Sequence, residues 1–180
     1  RSTHRYSSAG QMCIRDRSVM GSKLENILIL GIGGVGMHLA RRLVHEGASV
    51  TVIETDPKLV QEAAETMDAR VLKGNSMSLS SWRAAEAESM ELMIAATNDD
   101  ATNMLSALIA DRFGIERKIV RVRSLDFEPG SVLPPEELKI DLMVHPEELL
   151  AQEIYRLVKR AACNDPVSYT HLRAHETSPD

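Results

Sequence analysis

Aromatic side chains are scarce in this chain: one Trp, three Tyr and two Phe make up 3% of its 180 residues. Any core must therefore be built from Leu, Ile, Val, Met and Ala. Cysteine is nearly absent as well. Cys13 and Cys163 lie at opposite ends, which excludes a disulfide framework or a cysteine-based metal centre and suits a reducing cytoplasm. Positive charge is in deficit, with a formal net charge of -5, so there is no basic footprint for nucleic acid. No apolar run approaches the roughly 18 residues that a membrane span needs, so membrane association is expected only through a partner. Nor is a secretory leader expected, since no charged segment runs into an apolar one near the start. His38, His45 and His145 lack metal-ligand spacing, and no metal site is expected.

The two ends differ from the middle. Residues 1–18 and 167–180 show neither helical nor strand periodicity and little apolar mass. Met12-Cys13-Ile14-Arg15-Asp16 can be encoded by DNA whose reverse complement reads Val167-Ser168-Tyr169-Thr170-His171. One short element in opposite orientations at both ends is what a sequencing-library adaptor would leave, and both segments resemble translated adaptor read-through. The expected organisation is a non-native tail over 1–19, a single domain over 20–162, and a truncated end with a second tail over 163–180. Between Met20 and Asp165 there are 16 lysines and arginines against 23 aspartates and glutamates, a balance of -7.

What the middle does contain is alternation of strand and helix with short turns. That is the pattern of a doubly wound, mainly parallel α/β sheet of six strands with helices on both faces. Strands are expected at Asn26–Leu30, Ser49–Glu54, "RVLKG" (70–74), "ELMIAAT" (91–97), "KIVRVR" (118–123) and "IDLMV" (140–144). The first helix, about 34–46, should pack through Val35, Leu39, Ala40, Leu43 and Val44, with Gly47 at its C-terminal end. The second opens on Asp56-Pro57 and should pack through Val60, Ala64 and Met67. A brief helix near 79–87 should bury Trp82. The next is capped by Asp99 or Asp100 and carries Met104, Leu105, Leu108 and Ile109 as its apolar stripe. A last amphipathic helix begins at Pro146, with Leu150, Ile154, Leu157 and Val158 at helical spacing. His145 is a helix-entry residue.

The chemistry sits at "GIGGVG". Gly31, Gly33 and Gly36 fit G-x-G-x-x-G after an apolar strand and at the start of a helix. Gly31 permits the tight turn, Gly33 lets the backbone approach a pyrophosphate, and Gly36 lets helix and strand pack closely. Glu54 follows Gly31 by 23 residues, at the carboxyl end of the second strand. There it is either a ribose-binding carboxylate or a solvated acid of the "ETD" turn. As a ribose ligand it would disfavour a 2′-phosphate and so favour NAD(H) over NADP(H). Asn75, Thr97 and Asn98 stand at other strand ends, where turn chemistry and ligand contact are both open. Arg121 requires an anion, either a ligand phosphate or a carboxylate such as Asp99.

Taken together, "ILGIGGVGMHLARRL", "VTVIETDPKLV", "ARVLKGN", "IAATNDDATNM", "IVRVRS" and "IDLMVHPEELLAQEI" resemble the RCK, or KTN, regulatory domain of the TrkA N-terminal type, over about residues 24–161. The resemblance implies a Rossmann fold that binds NAD(H), or ATP or ADP, without catalysis. It also implies that the domain gates a potassium-uptake transporter through a TrkH-like membrane subunit, on the cytoplasmic face of the membrane. Matched position by position, it implies a pyrophosphate loop over Gly31, Ile32, Gly33, Gly34, Val35 and Gly36, with Glu54 on the ribose. Asn75, Thr97 and Asn98 fall on the adenosine side and Arg121 faces phosphate. The family often has aspartate where this chain has Glu54, and usually continues into a second small domain. In the family the last strand and helix meet a partner subunit, so Leu150, Ile154, Leu157 and Val158 face either a homodimer or larger ring, or the chain's own core.

A bound dinucleotide could be a reagent instead of a signal. The alternative reading is the cofactor half of an NAD-dependent oxidoreductase, which needs an acid–base residue and a substrate pocket. A third is a scaffold that holds the nucleotide structurally. The absence of a Ser/His/Asp set and the resemblance both favour the signal.

Overall fold

The computed structural model of the chain describes residues 26–127 and 130–163. The two terminal segments read above as non-native, apart from Cys163, fall outside those residues.

Apolar runs at regular intervals become six strands: β1 (Asn26–Leu30), β2 (Ser49–Glu54), β3 (Arg70–Lys73), β4 (Leu92–Ala95), β5 (Arg117–Arg121) and β6 (Leu142–Val144). They form one sheet in the order β3-β2-β1-β4-β5-β6, and every pairing is parallel. In a parallel sheet covered on both sides, both sets of alternating side chains must be apolar. β1 shows this directly: Ile27 and Ile29 join one core cluster while Leu28 and Leu30 join the other.

The first cluster lies under α1 (Gly34–His45) and α2 (Pro57–Thr66), with Val50, Val52 and Ile94 against Met37, Ala40 and Ala63. The second lies under α3 (Leu79–Ala84) and α4 (Asp100–Arg112), with Met93, Ala95 and Val120 against Trp82, Ala107 and Ala110. Trp82 is fully buried, stacks on Phe113 at 5.7 Å between ring centroids, and donates its indole N–H to the Ser76 carbonyl at 2.6 Å. The doubly wound architecture is thus as expected, with helices on both faces.

Several packing faces differ from expectation. Val35 is 47% exposed, and Gly36 and Met37 take its place against the sheet. On α2 the inward face is Leu59, Ala63 and Met67; Ala64 points to solvent. On α4 Met104, Leu108 and Ile109 of the expected stripe pack against the core, but the fully buried positions are Asn103, Ser106, Ala107 and Ala110, and Leu105 is 48% exposed. Each of these faces includes a small buried residue where the helix lies close to the sheet: Gly36 on α1, Ala63 on α2, and Ala107 and Ala110 on α4. Four strands are also shorter than read: β3 ends at Lys73, β4 at Ala95 and β5 at Arg121, and β6 begins at Leu142.

Among the described residues, the last helix, α5 (Pro146–Cys163), contributes nothing to either core cluster. Leu150, Ile154, Leu157 and Val158 are all more than half exposed, so the reading of this face as intramolecular core is overturned. Among the described residues, no helix is long and apolar enough to cross a membrane.

Candidate functional site

The strand order reverses between β1 and β4, because β1 sends its chain to β2 on one side and lies against β4 on the other. Ligands of open parallel sheets sit above the carboxyl ends of the strands at this point. A crevice of about 470 Å³ lies there, and Gly31, Gly33, Glu54, Asn75, Thr97 and Asn98 all line it. Six of the positions singled out from the sequence are thereby brought together. Asp56, read as a helix cap, and Asp99, read as a cap or as a partner for Arg121, line it too, as do Thr55, Ser76 and Thr102.

The three fingerprint glycines are required for different reasons. Gly31 has φ +81°, and a Cβ there would stand 2.9 Å from Thr97 Cα. A Cβ on Gly36 would overlap the Gly31 carbonyl, so this glycine sets the distance between loop and helix. Gly33 is different. Its φ is -56°, and the first protein atom a Cβ would meet is Asn98 Oδ1, at 4.0 Å. Nothing inside the protein demands glycine at 33; the space it leaves belongs to the crevice. Gly33 caps α1 with no side-chain hydrogen bond, and the first intrahelical bond runs from Met37 N to Gly33 O. The N–H groups of Gly34, Val35 and Gly36 thus precede the helical ladder, at the positive end of the helix dipole. Such an end accepts phosphate oxygens. The residues present fit a diphosphate.

Glu54 is 8% exposed, and its carboxylate is heavily used. Oε2 accepts from Ile32 N at 2.8 Å. Oε1 accepts from Thr55 N at 2.7 Å, Asp56 N at 2.9 Å and the Thr55 hydroxyl at 3.1 Å. It is an organised buried acid, not a solvated turn residue. Oε1 takes three of the four donors and Oε2 only one, so Oε2 keeps an acceptor site for a sugar hydroxyl, and the Thr55 hydroxyl is the one donor on Oε1 that can rotate away.

Asn75 accepts from Met77 N at 2.8 Å in a side-chain-closed turn, leaving its amide N–H₂ for the crevice. Thr97 and Asn98 are held by a network that sequence reading missed. Asn103, fully buried on α4, accepts from Thr97 N at 3.0 Å and from the Thr97 hydroxyl at 2.6 Å. Its amide donates to the Thr97 carbonyl at 3.0 Å and the Arg121 carbonyl at 2.9 Å, tying β4 to β5. The signal was present in the spacing: Asn103, Ala107 and Ala110 recur at i, i+4 and i+7.

Arg121 finds its anion in Glu147, on the first turn of α5, at 2.8 Å, and not in Asp99. Its Nη1 donates to the Thr97 carbonyl at 3.2 Å, and its Nε is buried without a partner among the described residues. It does not line the crevice. Arg123 donates to the Asn98 carbonyl and pairs with Asp100 at 3.5 Å.

Two acids here are held below the usual carboxylate range. Asp99 is lowered by hydrogen bonding from Thr102, side chain first and then backbone, with the Arg123 charge adding to it. For Asp100 burial works the other way, but the backbone N–H groups of Ser124 and Arg123 and the Arg123 side chain outweigh it. Both are ionised at neutral pH. Among the described residues, no group of three or more His, Cys, Asp or Glu could hold a metal ion.

A parallel sheet reversing at β1 and β4, with an open helix end at a G-x-G-x-x-G loop and a buried acid closing β2, defines a Rossmann-like fold of the nucleotide-binding kind. The chain belongs to the TrkA-N domain family, whose model matches residues 27–146. It is 30% identical over 145 residues to a Trk system potassium uptake protein TrkA homolog of Methanothermobacter thermautotrophicus, covering 81% of this chain and 65% of that protein. It is 34% identical over 145 residues to a Trk system potassium uptake protein trkA homolog 1 of Methanosarcina mazei, covering 78% and 35%. The chain therefore spans between about a third and two thirds of these relatives. Among solved structures, the TrkA-N domain of the inner membrane protein ybaL from Escherichia coli superposes with a TM-score of 0.65 at 21% identity, over 76% of this chain and 98% of that one. GsuK bound to ADP gives 0.62 at 21%, over 76% and 34%. The GsuK channel bound to NAD gives 0.59 at 19%, over 74% and 24%. At these identities the superpositions establish the fold alone.

Proposed function

We propose that residues 20–162 form a non-catalytic, nucleotide-sensing domain of a potassium-uptake system, binding NAD(H) ahead of ATP or ADP. The observation that carries the reading is Gly33, a glycine no packing requires, opening a free helix N-terminus toward a crevice. In this assignment the amides of Gly33 to Val35 hold the diphosphate and Glu54 takes a ribose hydroxyl. Asn75, Thr97 and Asn98 lie along the adenosine side. Support for a regulatory role comes from the Trk-system names of the relatives and from the ADP and NAD complexes of GsuK.

A signal also needs a route outward. Thr97 lines the crevice, Arg121 bonds its carbonyl, and Glu147 ties Arg121 to the first turn of α5. Along α5, Leu150, Ile154, Leu157 and Val158 form an exposed apolar face. We assign that face to a second copy of the domain, in a dimer or ring docked on a TrkH-like subunit at the cytoplasmic side of the membrane. A ligand shifts such an assembly by its difference in affinity for two arrangements, commonly about 1–3 kcal/mol.

The test is potassium flux in vesicles carrying the transporter subunit with this protein, with and without NADH. Flux that changes with NADH, while NADH is recovered unaltered, supports the sensor. Consumption of NADH with a substrate would favour the oxidoreductase instead.

A further inference from the structure

The hydrogen-bond ladder between β4 and β5 is interrupted at one defined rung. Ala96 N donates to the Leu30 carbonyl of β1, so alternation along the strand turns the Thr97 N–H toward β5. With Ala95 opposite Val120, the regular acceptor for Thr97 N is the Arg121 carbonyl. Another group takes its place. Thr97 N donates to Oδ1 of Asn103 at 3.0 Å, and Nδ2 of Asn103 donates to the Arg121 carbonyl at 2.9 Å. One side-chain carboxamide, chemically a peptide group, is inserted into the rung with its acceptor toward β4 and its donor toward β5.

Asn103 is fully buried and does not line the crevice, whereas Thr97, Asn98 and Asp99 form the crevice wall that continues from β4. Oδ1 also takes the Thr97 hydroxyl at 2.6 Å, and Nδ2 also donates to the Thr97 carbonyl at 3.0 Å. The orientation of the carboxamide is thereby fixed, because only its oxygen can accept from Thr97 N and only its nitrogen can donate to two carbonyls. The Thr97 carbonyl is also the one that Arg121 Nη1 reaches, at 3.2 Å. A sheet end held open in this way has two discrete arrangements: carboxamide inserted, or strand bonded to strand.

Resting on the nucleotide reading above, we propose that Asn103 is a positioning residue for the bound nucleotide and the link by which its occupancy reaches α5. The inserted carboxamide holds the wall of Thr97, Asn98 and Asp99 away from β5, and a ligand against that wall favours the inserted arrangement. Arg121, the other side of the rung, carries the difference to Glu147 on the first turn of α5 through their 2.8 Å ion pair. Ligand and helix thus bias the same pair of arrangements from opposite sides.

The test is titration of the chain and its variants with NADH, with amide exchange in the first turn of α5 followed with and without it. In the unaltered chain NADH should slow that exchange several-fold. Asn103→Ala removes the insert and lets Thr97 N bond Arg121 directly. Its NADH affinity should fall about tenfold, and its exchange should no longer respond at saturating NADH. Asn103→Asp keeps both acceptor contacts to Thr97 and loses both donors, so affinity should stay closer to the unaltered value while the α5 response is lost. Ala110→Gly is the control, because it weakens the same helix two turns beyond Asn103. Its melting temperature should fall while NADH affinity and the α5 response stay. Near-UV circular dichroism of Trp82, the one tryptophan, shows which variants keep their core. If Asn103→Ala fails that check, Asn103→Asp decides alone. Undiminished affinity in Asn103→Ala, or an α5 response retained in either Asn103 variant, would overturn the proposal. So would NADH binding to the unaltered chain with no response in α5. No nucleotide binding by the unaltered chain would instead overturn the nucleotide reading, and this coupling with it.

Discussion

Glu54 and Ile32 meet at 2.8 Å, side-chain oxygen to backbone nitrogen, across the 22 residues that separate them in the chain. The acid that ends β2 is thereby fastened to the loop that ends β1. Glu54 thus sets the position of the backbone that leads into α1, whatever it binds besides.

Glu54→Ala should therefore lose on two counts. Ile32 N is left buried without an acceptor, which costs about 1–3 kcal/mol of stability, and NADH affinity should fall about tenfold or more. Glu54→Gln, which keeps one acceptor oxygen, should fall between. Thermal melts and titrations on the same samples check both. Undiminished NADH affinity in the alanine variant would remove Glu54 from the ribose site.

The glycines of the loop should separate cleanly by substitution. Gly36→Ala forces a methyl into the Gly31 carbonyl and should destabilise by about 1–3 kcal/mol. Gly34→Ala meets nothing and sits at the start of a helix, so it should be neutral or stabilising by up to about 1 kcal/mol. Denaturant unfolding measures each. Equal effects at 34 and 36 would contradict this difference in the space around the two glycines.

Arg121 and Glu147 should behave as a coupled pair. Arg121 has a 14% exposed side chain while that of Glu147 is 58% exposed, so solvent screens one partner and a coupling of about 1 kcal/mol is expected. A double-mutant cycle with Arg121→Met and Glu147→Gln reads it. Amide exchange in the first turn of α5 should accelerate in either variant. An unchanged rate would disconnect the crevice from that helix.

Asp100 gives the protein a pH dependence with a definite sign. Its folded pKa is lowered from 3.8, so its stabilising contribution is complete above that value and is lost as pH falls through the folded value. Asp100→Asn should cost about 1–3 kcal/mol at pH near 7, since it removes a charged acceptor from the N–H groups of Arg123 and Ser124. The difference from the unaltered chain should shrink in melts taken below the unfolded value. A constant difference across that range would assign the loss to packing.

Much of this was legible in the residues alone, and the exceptions share a cause. Strands such as Ile27–Leu30 announce themselves because both faces are covered and every position is apolar. The fingerprint glycines are visible because backbone geometry forbids alternatives at Gly31 and Gly36. Helix faces are read from large apolar residues, whereas α2 and α4 approach the sheet through Ala63, Ala107 and Ala110. Close approach favours small side chains, which carry little signal in a hydrophobicity pattern. Asn103 shares the helical spacing of Ala107 and Ala110, but its polarity masks its place on that buried face. The partner of Arg121 was out of reach: Glu147 lies 26 residues away, and only the β5–β6 pairing brings it near.

The central claim is that the α1 amino end and Glu54 together hold a dinucleotide. A crystal of the chain soaked with NADH tests it most directly. The account predicts diphosphate density against the amides of Gly33, Gly34 and Val35, with a ribose hydroxyl within hydrogen-bonding distance of Glu54. An empty crevice, or ligand bound elsewhere on the molecule, would contradict it.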